Sequence, residues 1–323
     1  MSFVVEPSAV ASGIVSVPGD KSISHRALML GAVATGTTSI SGFLAGEDCL
    51  ATADALRALG VPIEQPEDTE IRVHGAGLDS LRAPGHPLDL GNSGTAMRLF
   101  AGLLSGLPFT SELTGDASLK SRPMERVIRP LTMMGASISS DEGRPPLVIS
   151  GGQKLAGIVY RLPVASAQVK SAILLAGLKA TGEIAVIEPA VTRDHTERMM
   201  RSMGAEVIQG ETQVQMRGGQ SLSGIEVDVP ADLSSAAFVI LAATISDGAE
   251  MVIPGVGVNP TRTGVIDILQ KMGADITIDN VRLNGEEPVA DLTVRSATLK
   301  GIDVDPAKVS LAIDEFPVLF IAA

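Results

Sequence analysis

The chain has no tryptophan, one tyrosine and seven phenylalanines in 323 residues. Aromatics make up only 2% against 45% apolar residues, so a core of this size must be built from Leu, Ile, Val, Met and Ala. One cysteine, Cys49, leaves no internal disulfide and no cysteine metal cage, and reads as a packed thiol. Positive charge is scarce: 25 Lys and Arg stand against 37 Asp and Glu, a net charge of −12. That balance argues against nucleic acid or an anionic membrane as partner, because both need a broad basic face. A small anionic substrate in a locally basic cleft remains compatible with it. Long apolar runs are missing as well. The longest, Ala236 to Ile245 with one Thr, is too short to span a bilayer. Met1 to Glu6 has neither the basic region nor the apolar core of a secretory signal. The reading is a soluble, cytoplasmic protein.

Glycine, by contrast, is abundant, with 34 residues, and its spacing carries the architecture. Gly60, Gly135, Gly204 and Gly273 each close a helical pattern and open a strand-like one, at intervals of 75, 69 and 69 residues. A left-handed glycine at a helix end explains each locally. The common spacing requires an internal repeat of about 70 residues, each copy a small α/β module. Ser22, Asn92, Gln168 and Ser234 each stand fourteen residues before another glycine (Gly36, Gly106, Gly182 and Gly248) and so fall at equivalent helix starts. Helix starts carry unpaired N–H groups and partial positive charge, a seat for anions. If the modules pack around an axis, these mouths converge on one cleft.

Read in order, the chain predicts a strand at 3–6, a helix from Ser22 to about Thr35, a strand at 37–43 and a helix over 48–59. Gly91-Asn92-Ser93-Gly94 resembles a turn that lets backbone approach a phosphate. Lys120 and Arg122 sit in a loop before a helix started by Pro123, either solvated or reaching back over the cleft. Lys170 enters an otherwise apolar helix, an unusual position. Thr192 or Asp194 is expected to cap the helix running to Met203, with Arg193 and His195 balanced between cap-adjacent surface and site. Matching extended segments at Val17–Asp20 and Val227–Asp232 mark two crossings between domains. Residues 21–229 then form a complete three-module domain, and 1–20 with 230–323 a partial second domain. A fifth module starts at Leu311–Pro317 and the sequence stops at Ala323 inside its apolar helix, which is expected to expose Phe316, Val318, Leu319, Phe320 and Ile321.

The segments Pro18–Arg26, Gly91–Arg98, Leu113–Met124, Ala165–Leu178, Glu188–Met199, Asn259–Gly264 and Ala312–Pro317 together resemble the EPSP synthases (3-phosphoshikimate 1-carboxyvinyltransferases), bacterial class II type, over essentially the whole chain. The resemblance implies an α/β fold of two inside-out α/β barrels built from βαβαββ modules, the second incomplete here. It implies transfer of the enolpyruvyl group of phosphoenolpyruvate (PEP) to the 5-hydroxyl of shikimate 3-phosphate, releasing phosphate, in the shikimate pathway of aromatic amino-acid biosynthesis. No metal and no cofactor are implied, the substrates are the expected partners, and the protein is expected to be a monomer, with a complementing C-terminal segment as an alternative. Lys21, Ser22 and Arg26 match shikimate 3-phosphate contacts, with Lys21 also reaching PEP. Ser166, Ala167, Gln168 and Arg193 match further contacts to that substrate. Gly94 and Arg122 match PEP contacts, Gln168 lies between the two substrates, and Asp314 matches the carboxylate facing the attacking hydroxyl. Gly94 also resembles the glyphosate-sensitive type.

The family's proton-transferring glutamate and a substrate-binding lysine would fall after Ala323. Competing readings are a non-catalytic fragment binding shikimate 3-phosphate, and the sister UDP-N-acetylglucosamine enolpyruvyl transferase. The latter usually carries a loop cysteine and an asparagine after the first lysine, where this chain has no cysteine in 111–122 and Ser22. RNA 3′-phosphate cyclase shares related modules but would bring a nucleotide site and a more basic surface.

Overall fold

The structure is a computed structural model that describes residues 12–323; the strand expected at 3–6 lies outside them. The chain forms two compact units. One is Lys21–Val229, and the other joins the described residues up to Asp20 to Pro230–Ala323. Strand β1 (Gly13–Ile14) belongs to the second unit.

In the larger unit, α1 (Lys21–Val33), β2 (Thr35–Ser41), α2 (Glu47–Ala58), β3 (Ile63–Glu67) and β4 (Glu70–Ala76) make the first module. The second runs through β5 (Leu88–Asp89), α3 (Gly94–Leu104), β6 (Ser111–Thr114), α4 (Ala117–Lys120), α5 (Glu125–Met133), β7 (Ser137–Asp141) and β8 (Arg144–Ser150). The third is β9 (Val159–Arg161), α6 (Ala167–Gly177), β10 (Glu183–Ile187), α7 (His195–Ser202), β11 (Val207–Gln209) and β12 (Gln213–Arg217), followed by β13 (Glu226–Asp228). The two helices and the strand expected at 22–35, 48–59 and 37–43 lie within two residues of α1, α2 and β2.

Each module contributes one four-stranded sheet with the same topology. In the second, β5 runs parallel to β6, β6 antiparallel to β8, and β8 antiparallel to β7. The third repeats this as β9-β10-β12-β11. The first module takes its parallel strand from far along the chain: β13 pairs with β2, Val227 opposite Ile40. The smaller unit holds α8 (Leu233–Ile245), β14 (Glu250–Gly257), α9 (Gly264–Met272), β15 (Asp275–Asn284), β16 (Glu287–Arg295) and α10 (Phe316–Ala322). Its sheet is β1-β14-β16-β15, completed by β1 just as the first sheet is completed by β13. The two crossing segments run side by side here, with Gly19 bridged to Ala231 and Asp20 N–H donating to the Pro230 carbonyl at 2.8 Å.

Burial follows chemistry. Strands such as β8 alternate buried and partly open positions, as expected of sheets with one face on helices. Helix α1 is buried on every side from Ile23 to Val33, and α6 from Val169 to Gly177, the mark of helices inside a core. Among the described residues, Phe43 and Phe100 are the aromatic side chains that reach full burial, Tyr160 joins the same core at 8% exposure, and most of the rest is Leu, Ile, Val, Met and Ala. Cys49 is fully buried, its thiol toward the Lys21 carbonyl at 3.8 Å. Helices α3 and α6 pack so closely that a Cβ on Gly102 would sit 2.1 Å from the Ala172 carbonyl oxygen. The module-closing glycines Gly60, Gly135, Gly204 and Gly273 all have φ between +89° and +108°, as helix-terminating residues there require. In α10 only part of the expected exposure occurs. Val318 and Leu319 are buried within the smaller unit's core, whereas Phe320 and Ile321 are exposed.

Candidate active site

Helices α3 and α6 start just after their modules' parallel strands β5 and β9, and α1 starts just after the crossing segment that ends at Asp20, so the three occupy equivalent places in their modules. Lys21 opens α1. Its side chain is half exposed, with Nζ 3.3 Å from Asp48 Oδ2 in the first turn of α2. One turn on, Arg26 is 3% exposed and fully engaged at three nitrogens. Nη1 donates to the Ser22 carbonyl (2.8 Å), Nε to Thr196 Oγ1 (2.6 Å) and Nη2 to Ser171 Oγ (2.9 Å). Thr196 and Ser171 lie 2.7 Å apart and close the triangle. Arg26 thus ties the mouth of α1 to α6 and α7.

The second mouth departs from the expected register. Asn92 does not begin α3. Ser93 is the N-cap, its Oγ accepting from Ala96 N–H at 3.1 Å, and Gly94 is the first helical residue. Asn92 instead bridges charges, its Nδ2 donating to Asp116 Oδ2 (2.7 Å) and its Oδ1 accepting from Arg122. Asp116 caps α4, and its carboxyl is held below the usual range by the Asn92 hydrogen bond first and the Leu119 N–H second. Arg122 therefore does reach back over the turn, from a loop containing the short helix α4, while Lys120 stays exposed.

Arg98 had no assigned role in the sequence, yet it organises this corner. From one turn inside α3 its Nη1 donates to the Gly94 carbonyl and to Gln168 Oε1, both at 3.0 Å, and Nη2 to the Pro123 carbonyl at 3.3 Å. Gln168 is pinned at its other end, Nε2 donating to Thr95 Oγ1 at 3.0 Å. Every one of these Arg98 and Arg122 partners is neutral. Burial, then the charges of Arg122 and Arg126, hold the Arg98 guanidinium below the usual arginine value. Two guanidiniums clustered at a helix start without a carboxylate between them are an anion-binding arrangement. An added Cβ on Gly94 would meet both, 2.9 Å from each Nη1.

At the third mouth Ser166 caps α6, accepting from Val169 N–H at 3.3 Å, with Ala167 and Gln168 as the first two helical residues. Arg193 lies half-buried in the loop leading to α7. Neither expected cap of α7 is made by a side chain. Asp194 occupies the N-cap position without a side-chain cap bond and pairs instead with Arg198 (2.9 Å), while the Thr192 hydroxyl donates to Glu188. His195 is buried at 2% exposure rather than lying at the surface.

Within one unit the structure thus joins Ser22 to Arg26 directly and Gly94 to Gln168 through Arg98, with Arg122 held by Asn92 next to Gly94, and Lys21, Ser166, Ala167 and Arg193 at or beside the same helix mouths. Asp314 belongs to the smaller unit, exposed on the short turn Ile313–Glu315. Its neighbour Glu315 is buried and accepts from the Ser234 hydroxyl. Arg262 lies there too, 2.8 Å from Asp20, 3.2 Å from Asp232 and 3.7 Å from Glu315. Burial alone would lower its pKa; the surrounding carboxylates, Asp20 foremost, push it above the usual arginine value. Asp232 is raised by burial and by the charge of Asp20, against the pull of Arg262.

Asp48, Arg98, Ser171 and Thr196 escaped the sequence reading. A faint signal existed for Arg98: four residues after Gly94 on one helix, it must fold back on that helix's own mouth. Asp48, Ser171 and Thr196 act through partners distant in sequence, and nothing local marks them.

Repeated α/β modules whose inner helix starts carry Lys21, Arg26, Arg98 and Arg122, the last two with neutral partners, define an α/β protein with a cationic cluster suited to phosphorylated or carboxylated small molecules. The family model for EPSP synthase (3-phosphoshikimate 1-carboxyvinyltransferase) matches residues 5–323. A 3-phosphoshikimate 1-carboxyvinyltransferase of Alkalilimnicola ehrlichii is 60% identical over 324 residues, covering 100% of this chain and 73% of that protein. One from Halorhodospira halophila is 59% identical over 320 residues, 99% of this chain and 72% of its own. A solved EPSP synthase structure from Acinetobacter baumannii superposes with a TM-score of 0.90 at 54% identity, over 98% of this chain and 72% of that one. The chain belongs to the EPSP synthase family.

Proposed function

We propose that this chain carries out the reaction its relatives are named for: transfer of the enolpyruvyl group of PEP to the 5-hydroxyl of shikimate 3-phosphate, releasing phosphate. The observation that carries the reading is the Arg98–Arg122 cluster with neutral partners at the Gly94 helix start, joined through Gln168 to the α6 mouth. Lys21, Gly94, Arg122 and Gln168 hold PEP. Lys21, Ser22, Arg26, Ser166, Ala167, Gln168 and Arg193 hold shikimate 3-phosphate, and Arg98 fixes Gln168 and the Pro123 loop in place.

The chemistry needs this equipment. As the 5-hydroxyl oxygen bonds to C2 of PEP, its proton passes to a base, and the methylene carbon takes up a proton to become methyl. The tetrahedral adduct then breaks its bond to the phosphate oxygen, and loss of a proton from that methyl restores the double bond. Asp314 is proposed as the group that accepts from the hydroxyl. Fixed cations hold two anionic reactants side by side and stabilise the charge that builds on the departing phosphate.

We further propose the class II type, a cytoplasmic monomer, and a reaction that draws on the additional length of the relatives, of which this chain matches about three-quarters. Phosphate release should require both substrates and should rise when a polypeptide covering that additional length is supplied. Release from PEP without shikimate 3-phosphate, or none in any combination, would overturn the reading.

Gly94→Ala tests the PEP pocket. The new methyl must displace the tips of Arg98 and Arg122, which are flexible, so the turn survives while the cationic pair moves. The KM for PEP should rise about 3- to 10-fold, roughly 0.6–1.4 kcal/mol. The inhibition constant for glyphosate, a longer anion, should rise further. Equal changes in both constants, or none, would remove Gly94 from the pocket.

A further inference from the structure

Lys170 stands one turn inside α6, next to Ser171 and two residues after Gln168, and is completely buried. Its Nζ lies 2.7 Å from Glu188 Oε2 and 2.8 Å from Glu197 Oε1, with the Thr192 carbonyl at 3.4 Å. Both carboxylates are buried as well, and Glu188 also accepts from the Thr192 hydroxyl. One ammonium against two carboxylates is an expensive item to bury. Apolar side chains of similar size would stabilise a core at least as well, so such a triad is weak evidence for stability and better evidence for fixing one arrangement. What it fixes is specific. Glu188 opens the loop Glu188–Asp194, Thr192 lies within it, and Glu197 sits in the first turn of α7, so Lys170 ties both ends of the segment carrying Arg193 to the α6 mouth.

We propose that Lys170, with Glu188 and Glu197, is a positioning residue for the shikimate 3-phosphate side of the site, acting through Arg193. This rests on the proposed function. Burial raises the Glu188 carboxyl above its usual range, opposed by the Lys170 ammonium, and the two carboxylates raise Lys170 in turn against its own desolvation. Opposite charges thus hold Lys170 between the two carboxylates, at 2.7 Å from Glu188 and 2.8 Å from Glu197.

The test is a double-mutant cycle read by titration calorimetry with shikimate 3-phosphate, with thermal unfolding followed alongside. The neutral variant Lys170→Met/Glu188→Gln/Glu197→Gln should keep its unfolding temperature near that of the parent chain while weakening binding about 10- to 30-fold. Arg193→Ala should weaken it by at least as much. All four changes together should bind no more weakly than Arg193→Ala alone, because the triad has nothing left to position. Unchanged binding by the neutral variant, or losses that multiply in the combination, would overturn the inference. If the neutral variant does not fold, Thr192→Val removes only the hydroxyl on Glu188. It should weaken binding about 3- to 10-fold, again with no further loss on an Arg193→Ala background, and an unchanged or multiplying effect counts against the inference. Failure of the unaltered chain to bind shikimate 3-phosphate would overturn the proposed function, and this inference with it.

Discussion

Lys21→Met is expected to abolish turnover while leaving the fold intact. The side chain stands at the first residue of α1, half exposed and in contact with Asp48 only at 3.3 Å, so removing its ammonium costs the folded state little. A methionine of similar length keeps the packing of its stem. The proposed role, by contrast, puts the ammonium between two phosphorylated substrates. Two charge-assisted hydrogen bonds at about 1.5–3 kcal/mol each, with tenfold in rate per 1.36 kcal/mol, give a loss of about 10²- to 10⁴-fold. Phosphate release measured beside circular dichroism checks both halves. A folded variant with near-normal turnover would take Lys21 out of the site.

The corresponding stability prediction falls on the smaller unit. Arg262→Met should destabilise it by about 3–5 kcal/mol, the usual cost of breaking a buried ionic cluster by removing one member. Arg262 is 4% exposed and balances Asp20, Asp232 and Glu315. Without it these carboxylates face each other in a buried site, and Asp232, already raised by burial and the charge of Asp20, loses the opposing pull of Arg262 and rises further. Carboxylates raised in this way bind more protons folded than unfolded, so their contribution is fully present at low pH and is lost as pH rises through the folded pKa. The deficit of the variant should therefore be largest at neutral pH and shrink on mild acidification. Urea unfolding of parent and variant at the two pH values measures it. A variant as stable as the parent, or a deficit that grows toward acid, would contradict this account of the cluster.

Much of this was legible from spacing. The period marked by Gly60, Gly135, Gly204 and Gly273 reappears as four sheets of one topology, because a left-handed helix end is a constraint that local sequence expresses strongly. The placing of Ser22, Gln168 and Ser234 at helix starts follows from the same repeat. Asn92 was misplaced because Ser93, the better cap, takes the N-cap position and releases Asn92 to bridge Asp116 and Arg122. The α7 entry misled for a related reason. Thr192 and Asp194 are good capping residues, but their side chains are claimed by Glu188 and Arg198. Those competitors are set by tertiary packing, which a window of local sequence does not contain. Arg98 and the buried triad around Lys170 belong to the same class: their residue types were visible, their partners were not.

The central claim is that the helix mouths of the Lys21–Val229 unit form an anion site for shikimate 3-phosphate, with Arg98 and Arg122 beside it for a second anion. Titration calorimetry of the unaltered chain with shikimate 3-phosphate, set against unphosphorylated shikimate, tests it most directly. The account predicts saturable binding that weakens with added salt, is lost without the phosphate, and drops about 10- to 100-fold when Arg193 is replaced by Ala. Binding of shikimate as tightly as its phosphate, or no binding of either, would contradict it.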